Sequence, residues 1–428
     1  MKEKLQTSTG AGLFRNRDYL IASAARFLAT VGYGAVTITI MLHLQSSASD
    51  PSSGAWMVTC YLLIATLPTV LLAPWAGRLA DTRDSRALAT GASLLSAVAV
   101  ALMALSTQFL DNYLPALLAL TVVLEAGLAI ASPTWQALLP RIVGEDRTPQ
   151  AMGTMQATLM LAGMVGPALG GFLLGQGGLA FSFWAAAAGY LLLAVGALCI
   201  RTRRSLRTEA AAVGLEQEPP RLLDGLRELG KDTLLGLVVF AALLIVLFAE
   251  AINVLEIFLA REELHATELQ YGLLSATMSI GLVLGSLWAG RINSERWRLR
   301  IFLLSATGSA LLLALMGLAP SLVWLFIMAA ILGLGIGALN ATFGALLMLR
   351  TAEHKRGQVG SIVQALTRAV SIGALGLGGL LGSLLGARLG FVLSGSVTLL
   401  LCLGISVVIL RFVRKQESIQ DKLADLVE

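Results

Sequence analysis

Charge is scarce in this chain. Of 428 residues only 13% are Asp, Glu, Lys or Arg, about half of the roughly 25% usual for a soluble domain, so a water-facing shell cannot be built from them. Proline is equally thin, at 11 residues, and the long apolar runs are uninterrupted by charge. That excludes a disordered chain. Cysteine is limited to Cys60, Cys199 and Cys402. They lie far apart without a CxxC spacing, which excludes a disulfide-stapled module and suits small buried apolar residues. The three histidines, His43, His265 and His354, stand near segment ends and form no metal-ligand pattern. No Walker loop or convincing nucleophile motif is present, so neither ATP-driven nor enzymatic chemistry is expected. The polar opening from Met1 to Asp18 lacks a cleavage site behind a short apolar core, and reads as a retained tail rather than a leader.

What is present is apolar surface: 56% hydrophobic residues, 44 glycines and a mean hydropathy of +0.79. About 20 apolar residues cross a bilayer, and that ruler predicts twelve spans: 19–44, 55–76, 87–107, 114–139, 149–174, 178–200, 234–260, 267–289, 299–319, 321–347, 359–385 and 389–411. Basic residues test the count, because short cytoplasmic loops retain Lys and Arg. The two tails and alternate loops on one side hold 27 of the 31. The opposite loops hold only Arg261 and Arg388, while Arg26 and Arg368 lie within spans. Both termini are therefore expected on the cytoplasmic face of a bacterial-type inner membrane. The basic pI near 9.3 reflects orientation and attraction to anionic lipid, not a nucleic-acid partner.

The polar stretch 201–233, with Pro219-Pro220 and an amphipathic segment from Arg221 to Lys231, divides the chain. The expected organisation is an N-tail 1–18, a six-helix bundle 19–200, a linker with an interfacial helix 201–233, a second six-helix bundle 234–411 and a C-tail 412–428. Trp75-Ala76-Gly77-Arg78 recurs as Trp288-Ala289-Gly290-Arg291, and Ala101-Leu102-Met103-Ala104-Leu105 as Ala314-Leu315-Met316-Gly317-Leu318, both offset by 213 residues. Two matches in one register indicate a parallel duplication.

Two motifs stand out. Gly77-Arg78-Leu79-Ala80-Asp81-Thr82-Arg83-Asp84-Ser85-Arg86 joins the second and third spans. Gly77 permits a tight turn, and Asp81 is placed to cap the next helix or to accept from Arg83 and Arg86; an ordinary positive-inside turn is the simpler alternative. Gly163-Met164-Val165-Gly166-Pro167-Ala168-Leu169-Gly170-Gly171 lies in the fifth span, where small residues allow close helix approach and Pro167 bends the helix.

Ionisable groups inside spans cost about 2.5–3.5 kcal/mol each even on the lenient scale, so Glu125, Glu250, Arg26 and Arg368 are candidates by default. A carboxylate in a poorly hydrated cavity exchanges its proton near neutral pH, and a proton and a cation then compete for it. A permanent salt bridge with Arg26 or Arg368 is the structural alternative. Glu250, Asn253 and Ile257 share a helix face, whereas Glu256 is expected at the solvated outer interface. Gln156, Asn340 and Gln364 are mid-span polar groups suited either to interhelical hydrogen bonds or to ligand contact. Tyr33, Trp135 and Phe343 suit packing or stacking on an amphiphile, and Trp135 also suits interfacial anchoring.

The first motif resembles the loop signature of the major facilitator superfamily. Gly77, Leu79, Ala80, Asp81 and Arg86 match it; Thr82, Asp84 and Ser85 depart from it. The second-half copy keeps Gly290 and Arg291 but has Ser294 where the first half has Asp81. The fifth-span string, ending Gly166-Pro167-x-x-Gly170-Gly171, is similar to the antiporter motif of exporter branches in that superfamily. Phe14 to Tyr19 and Leu222 to Arg227 resemble the branch with siderophore and macrolide exporters. The resemblance implies an all-α fold of two six-helix bundles, with the first, fourth, seventh and tenth spans around a cavity. It further implies a monomeric exporter of a small amphiphile, driven by a proton gradient without a cofactor, with an inner latch around Asp81. A cationic drug and a siderophore-like metabolite are both open as cargo. Proton-coupled uptake, or a non-transporting receptor or scaffold, are the alternative functions.

Overall fold

A computed structural model describes residues 13–424 except 14, 49, 73–74, 77–78, 80–82, 145–146, 201–226, 228, 293 and 352–354. Ten long helices account for nearly all of it: α1 (Arg17–Ser47), α2 (Pro51–Leu71), α3 (Ser85–Phe109), α4 (Leu114–Val143), α5 (Thr148–Cys199), α6 (Thr233–Phe258), α7 (Glu268–Gly290), α8 (Glu295–Gly317), α9 (Leu322–Arg350) and α10 (Arg356–Ala424). All ten contain a stretch long and apolar enough to cross a membrane. Large apolar side chains such as Leu71, Leu304 and Leu400 remain exposed around them, as expected where the solvent is lipid.

Ten helices carry the twelve expected spans because α5 and α10 each bear two. α5 is 52 residues long and α10 is 69, and each is interrupted at one glycine of positive φ: Gly178 at 71° and Gly386 at 75°. Only glycine adopts that conformation without a steric penalty. The sequence placed two three-residue outer connections at 175–177 and 386–388, next to Gly178 and at Gly386.

The chain forms two compact units. The first contains residues 1–44, 60–216 and 267–276; the second contains 45–59, 217–266 and 277–428. In the first, α3 packs against α4 and α5; in the second, α8 packs against α9 and α10, and α6 against α10. The core of the first unit includes Tyr19, Tyr61, Met103, Leu117, Phe183 and Tyr190. Its polar ties span long sequence separations: Asn16 donates to the Ile142 carbonyl at 2.7 Å, and the Thr39 and Ser182 hydroxyls meet at 2.7 Å. In the second unit Phe302 stacks on Phe343 with ring centroids 6.3 Å apart, within an apolar cluster that includes Val238, Ile245 and Ile409.

Glycine sets how closely helices approach. Gly34 of α1 lies against Gly166 and Pro167 of α5, and a side chain at Gly170 would strike the Ala35 backbone at 2.7 Å. Gly171 sits on the Glu268 carbonyl and Gly272 on the Pro167 carbonyl, whereas Gly163 faces open space. In the second unit, Gly281 and Gly285 of α7 sit on the Ala330 and Leu334 carbonyls of α9. Gly333 and Gly337 of α9 return the contact to Met278 and Leu282. The Gly-x-x-x-Gly spacing of each helix is present in the sequence, but its reciprocal pairing into one seam is seen only in the structure.

Several expectations need correction. Cys60 and Cys199 are exposed; only Cys402 is buried. Trp135 is buried at 3% exposure, in keeping with its packing alternative. Asp84 is the cap of α3, accepting from the backbone N–H groups of Arg86 and Ala87. Gly77 and Asp81 lie outside the described residues, as does most of the expected interfacial helix. Of their neighbours, Arg83 is exposed and Arg86 donates to the Leu198 carbonyl. Gly290 and Arg291 are exposed, with Arg291 in a surface niche beside Trp288 and Trp297.

Candidate transport site

Each unit contains an internal cavity lined by intramembrane polar groups. In the second unit the cavity measures about 360 Å³ and is bounded by α6 to α10. Its polar lining includes Glu250, Asn253 and Glu256 from α6, Asn340 from α9 and Thr367 from α10. Phe343, Leu313, Met316 and Leu332 contribute to the apolar wall. Among the described residues no Lys, Arg or His lines it.

The helix α6 begins at the Asp232 cap, whose carboxylate accepts from the Leu234 and Leu235 N–H groups. The same carboxylate pairs with Arg350 at 2.9 Å, and Arg350 also reaches Glu295 at 2.8 Å. Farther along, Gly378 of α10 rests on the Ala251 carbonyl, next to Glu250. The Asn253 amide donates to Glu250 Oε2 at 2.8 Å, so two predicted residues form one unit.

Glu256 was expected in solvent and instead faces this cavity. The third member of the expected face, Ile257, is fully buried in packing. Each step of three residues turns about 60° back around a helix, so 250, 253 and 256 spiral along the wall of a cavity that wraps around α6. Among the described residues Glu256 has no hydrogen bond or ion pair, and Glu250 pairs with no cation. The salt-bridge alternative is therefore not seen for Glu250.

In the first unit a cavity of about 170 Å³ is lined by Arg26, Thr30, Tyr33, Ser132 and Trp135, with Ala29, Leu128, Ala131 and Leu193. Arg26 and Tyr33 stand two helical turns apart on α1, so the structure brings three singled-out residues together. Glu125 lies outside this lining. It is buried at 3% exposure, in a neighbourhood that includes Tyr33, Tyr61 and Tyr190. Neither Glu125 nor Arg26 forms an ion pair among the described residues. The remaining candidates lie apart. Gln156, Gln364 and Arg368 are exposed and line neither cavity.

Two apolar-walled cavities holding ionisable groups, in a chain of ten membrane-crossing helices, suit the handling of a small molecule. The profile of the transmembrane secretion effector family matches residues 19–425. The chain belongs to that family of major facilitator transporters. It is 28% identical over 393 residues to the enterobactin exporter EntS of Citrobacter koseri, covering 87% of this chain and 86% of the relative. Among solved structures, a bacterial homologue of the human lysosomal transporter Spinster superposes with a TM-score of 0.69 at 15% identity, covering 93% of this chain and 97% of that one. The D-xylose-proton symporter superposes with a TM-score of 0.67 at 13% identity, covering 90% and 96%. These two likenesses show the fold. The chain is thus a multi-pass membrane transporter and not an enzyme, with the fold expected from its sequence.

Proposed function

We propose that this protein exports a small amphiphilic molecule by alternating access, driven by inward proton flow. The supporting observation is the second cavity, in which, among the described residues, Glu250 and Glu256 line an apolar-walled space without a basic residue. Glu250 holds the Asn253 amide when ionised. Protonation removes the charge that this contact favours, and frees the cavity from a net negative potential. A proton and a cationic or hydrogen-bond-donating group of the cargo compete for the same carboxylate, which is the elementary requirement for exchange. Glu125 is the second proton-handling group, with Tyr33 in its neighbourhood.

Direction is supported by the family and by the relatives' export of enterobactin. Basic residues concentrated in the tails and alternate loops support an inner-membrane orientation with both termini cytoplasmic. The working form is a monomer that needs a proton gradient and no cofactor. The Gly166–Gly171 segment, which packs against α1 and the start of α7, serves the moving interface, and the Asp81 loop the inner latch.

The test is transport in inverted membrane vesicles with an imposed pH gradient. Wild type should accumulate cargo when the lumen is acidic, and E250Q and E125Q should each lower gradient-driven transport by about tenfold or more. Full gradient-driven transport by both variants would overturn the proton-site assignment. Cargo moving with protons, instead of against them, would establish uptake.

A further inference from the structure

The first cavity is unlike the second in what it offers a ligand. Arg26 contributes a guanidinium, and among the described residues no carboxylate lines the space. Arg26 has neither hydrogen bond nor ion pair among the described residues. Trp135, at 3% exposure, has an indole N–H with no hydrogen-bond partner. A buried donor without an acceptor carries its full desolvation penalty, and indole nitrogen can only donate. A charged, unpaired guanidinium within a span is costlier still. The guanidinium lines the cavity without an acceptor, whereas the indole N–H is enclosed behind the cavity wall.

We infer that this cavity is the cargo's acid-head subsite: it accepts a planar group with paired oxygen acceptors, such as an aryl carboxylate, with Arg26 as its specificity-determining donor and Trp135 as part of the wall. The guanidinium fork matches two oxygens of a carboxylate. Leu128 and Leu193 supply apolar wall, and a space of about 170 Å³ suits a single substituted ring rather than a whole drug-sized molecule. Tyr33 connects the subsite to Glu125, because it neighbours that residue while its side chain lines the cavity. The inference deepens the exporter reading and rests on it for the ligand's role as cargo.

The probe is salicylate, with the isosteric neutral salicylamide as control, titrated into the full-length chain labelled with 5-fluorotryptophan in detergent micelles. The fluorine resonance missing from W135F identifies Trp135. Salicylate should shift that resonance saturably, salicylamide should bind about tenfold more weakly, and R26Q should lose about tenfold in salicylate affinity while R26K recovers part of it. A Trp135 resonance unmoved by salicylate, equal binding of the amide, or unchanged affinity in R26Q would overturn the subsite. If R26Q does not fold, the acid-to-amide ratio of wild type decides alone. Binding requires no gradient, so the two proposals fail separately. Vesicles that export cargo without Arg26-dependent salicylate binding would sink the subsite only; binding without gradient-driven transport would sink the exporter reading only.

Discussion

The two cavities differ in sign. Arg26 makes the first a cationic donor site, and Glu125 lies outside its lining. Glu250 and Glu256 make the second a set of acceptors, softened by two asparagine amides. Their scaffolds are alike: in one unit α3 meets α4 and α5, and in the other α8 meets α9 and α10. The packing of helices is thus alike in the two units while their ionisable groups differ. Fold and chemistry are specified by different residues, and mutations can separate them.

The largest expected effect falls on packing. In the second unit G285L places a side chain on the Leu334 carbonyl and should cost about 3 kcal/mol, seen as loss of the monodisperse peak in size-exclusion chromatography. In the first unit G163A, facing open space within a helix, should gain about 0.5–1 kcal/mol. Equal effects at the two sites would erase the distinction between glycines that seat a neighbour and those that do not.

A smaller effect of opposite kind is expected at the cavity lining. E256Q removes a carboxyl that has no partner among the described residues, and should raise stability by about 1 kcal/mol in a thermal melt while weakening transport. A destabilised E256Q would mean that this carboxyl serves packing.

The smallest difference lies at the helix caps. Asp84 caps α3 alone, whereas Asp232 caps α6 and also pairs with Arg350. D84A should cost about 1 kcal/mol, and D232A about 1.5, since a half-exposed ion pair adds only a fraction of a kcal/mol. Adding 1 M salt should shrink the gap between the two melts.

Much of this was readable in the sequence, because a bilayer allows few solutions: runs of apolar residues became helices, and two predicted outer turns fell next to Gly178 and at Gly386. The Glu250–Asn253 pair was readable from a three-residue step. Glu256 was not, because linear depth placed it near an interface and only the shape of the cavity shows that its lining reaches around more than one face of α6. Trp135 left packing and anchoring both open, and its burial agrees with packing. The cap moved from Asp81 to Asp84 because the backbone, not the motif, decides where α3 begins. The glycine seam between α7 and α9 needed knowledge of which helices are neighbours, which spacing within one helix does not supply.

Gly178 and Gly386 each leave a single residue outside helical geometry between two long arms. A joint that short stores no slack. Neither arm can move far from the other across one residue of non-helical backbone, which spans less than about 4 Å. Each pair of arms must travel as a stiff hairpin, so any stroke of this machine has to be accommodated at other joints.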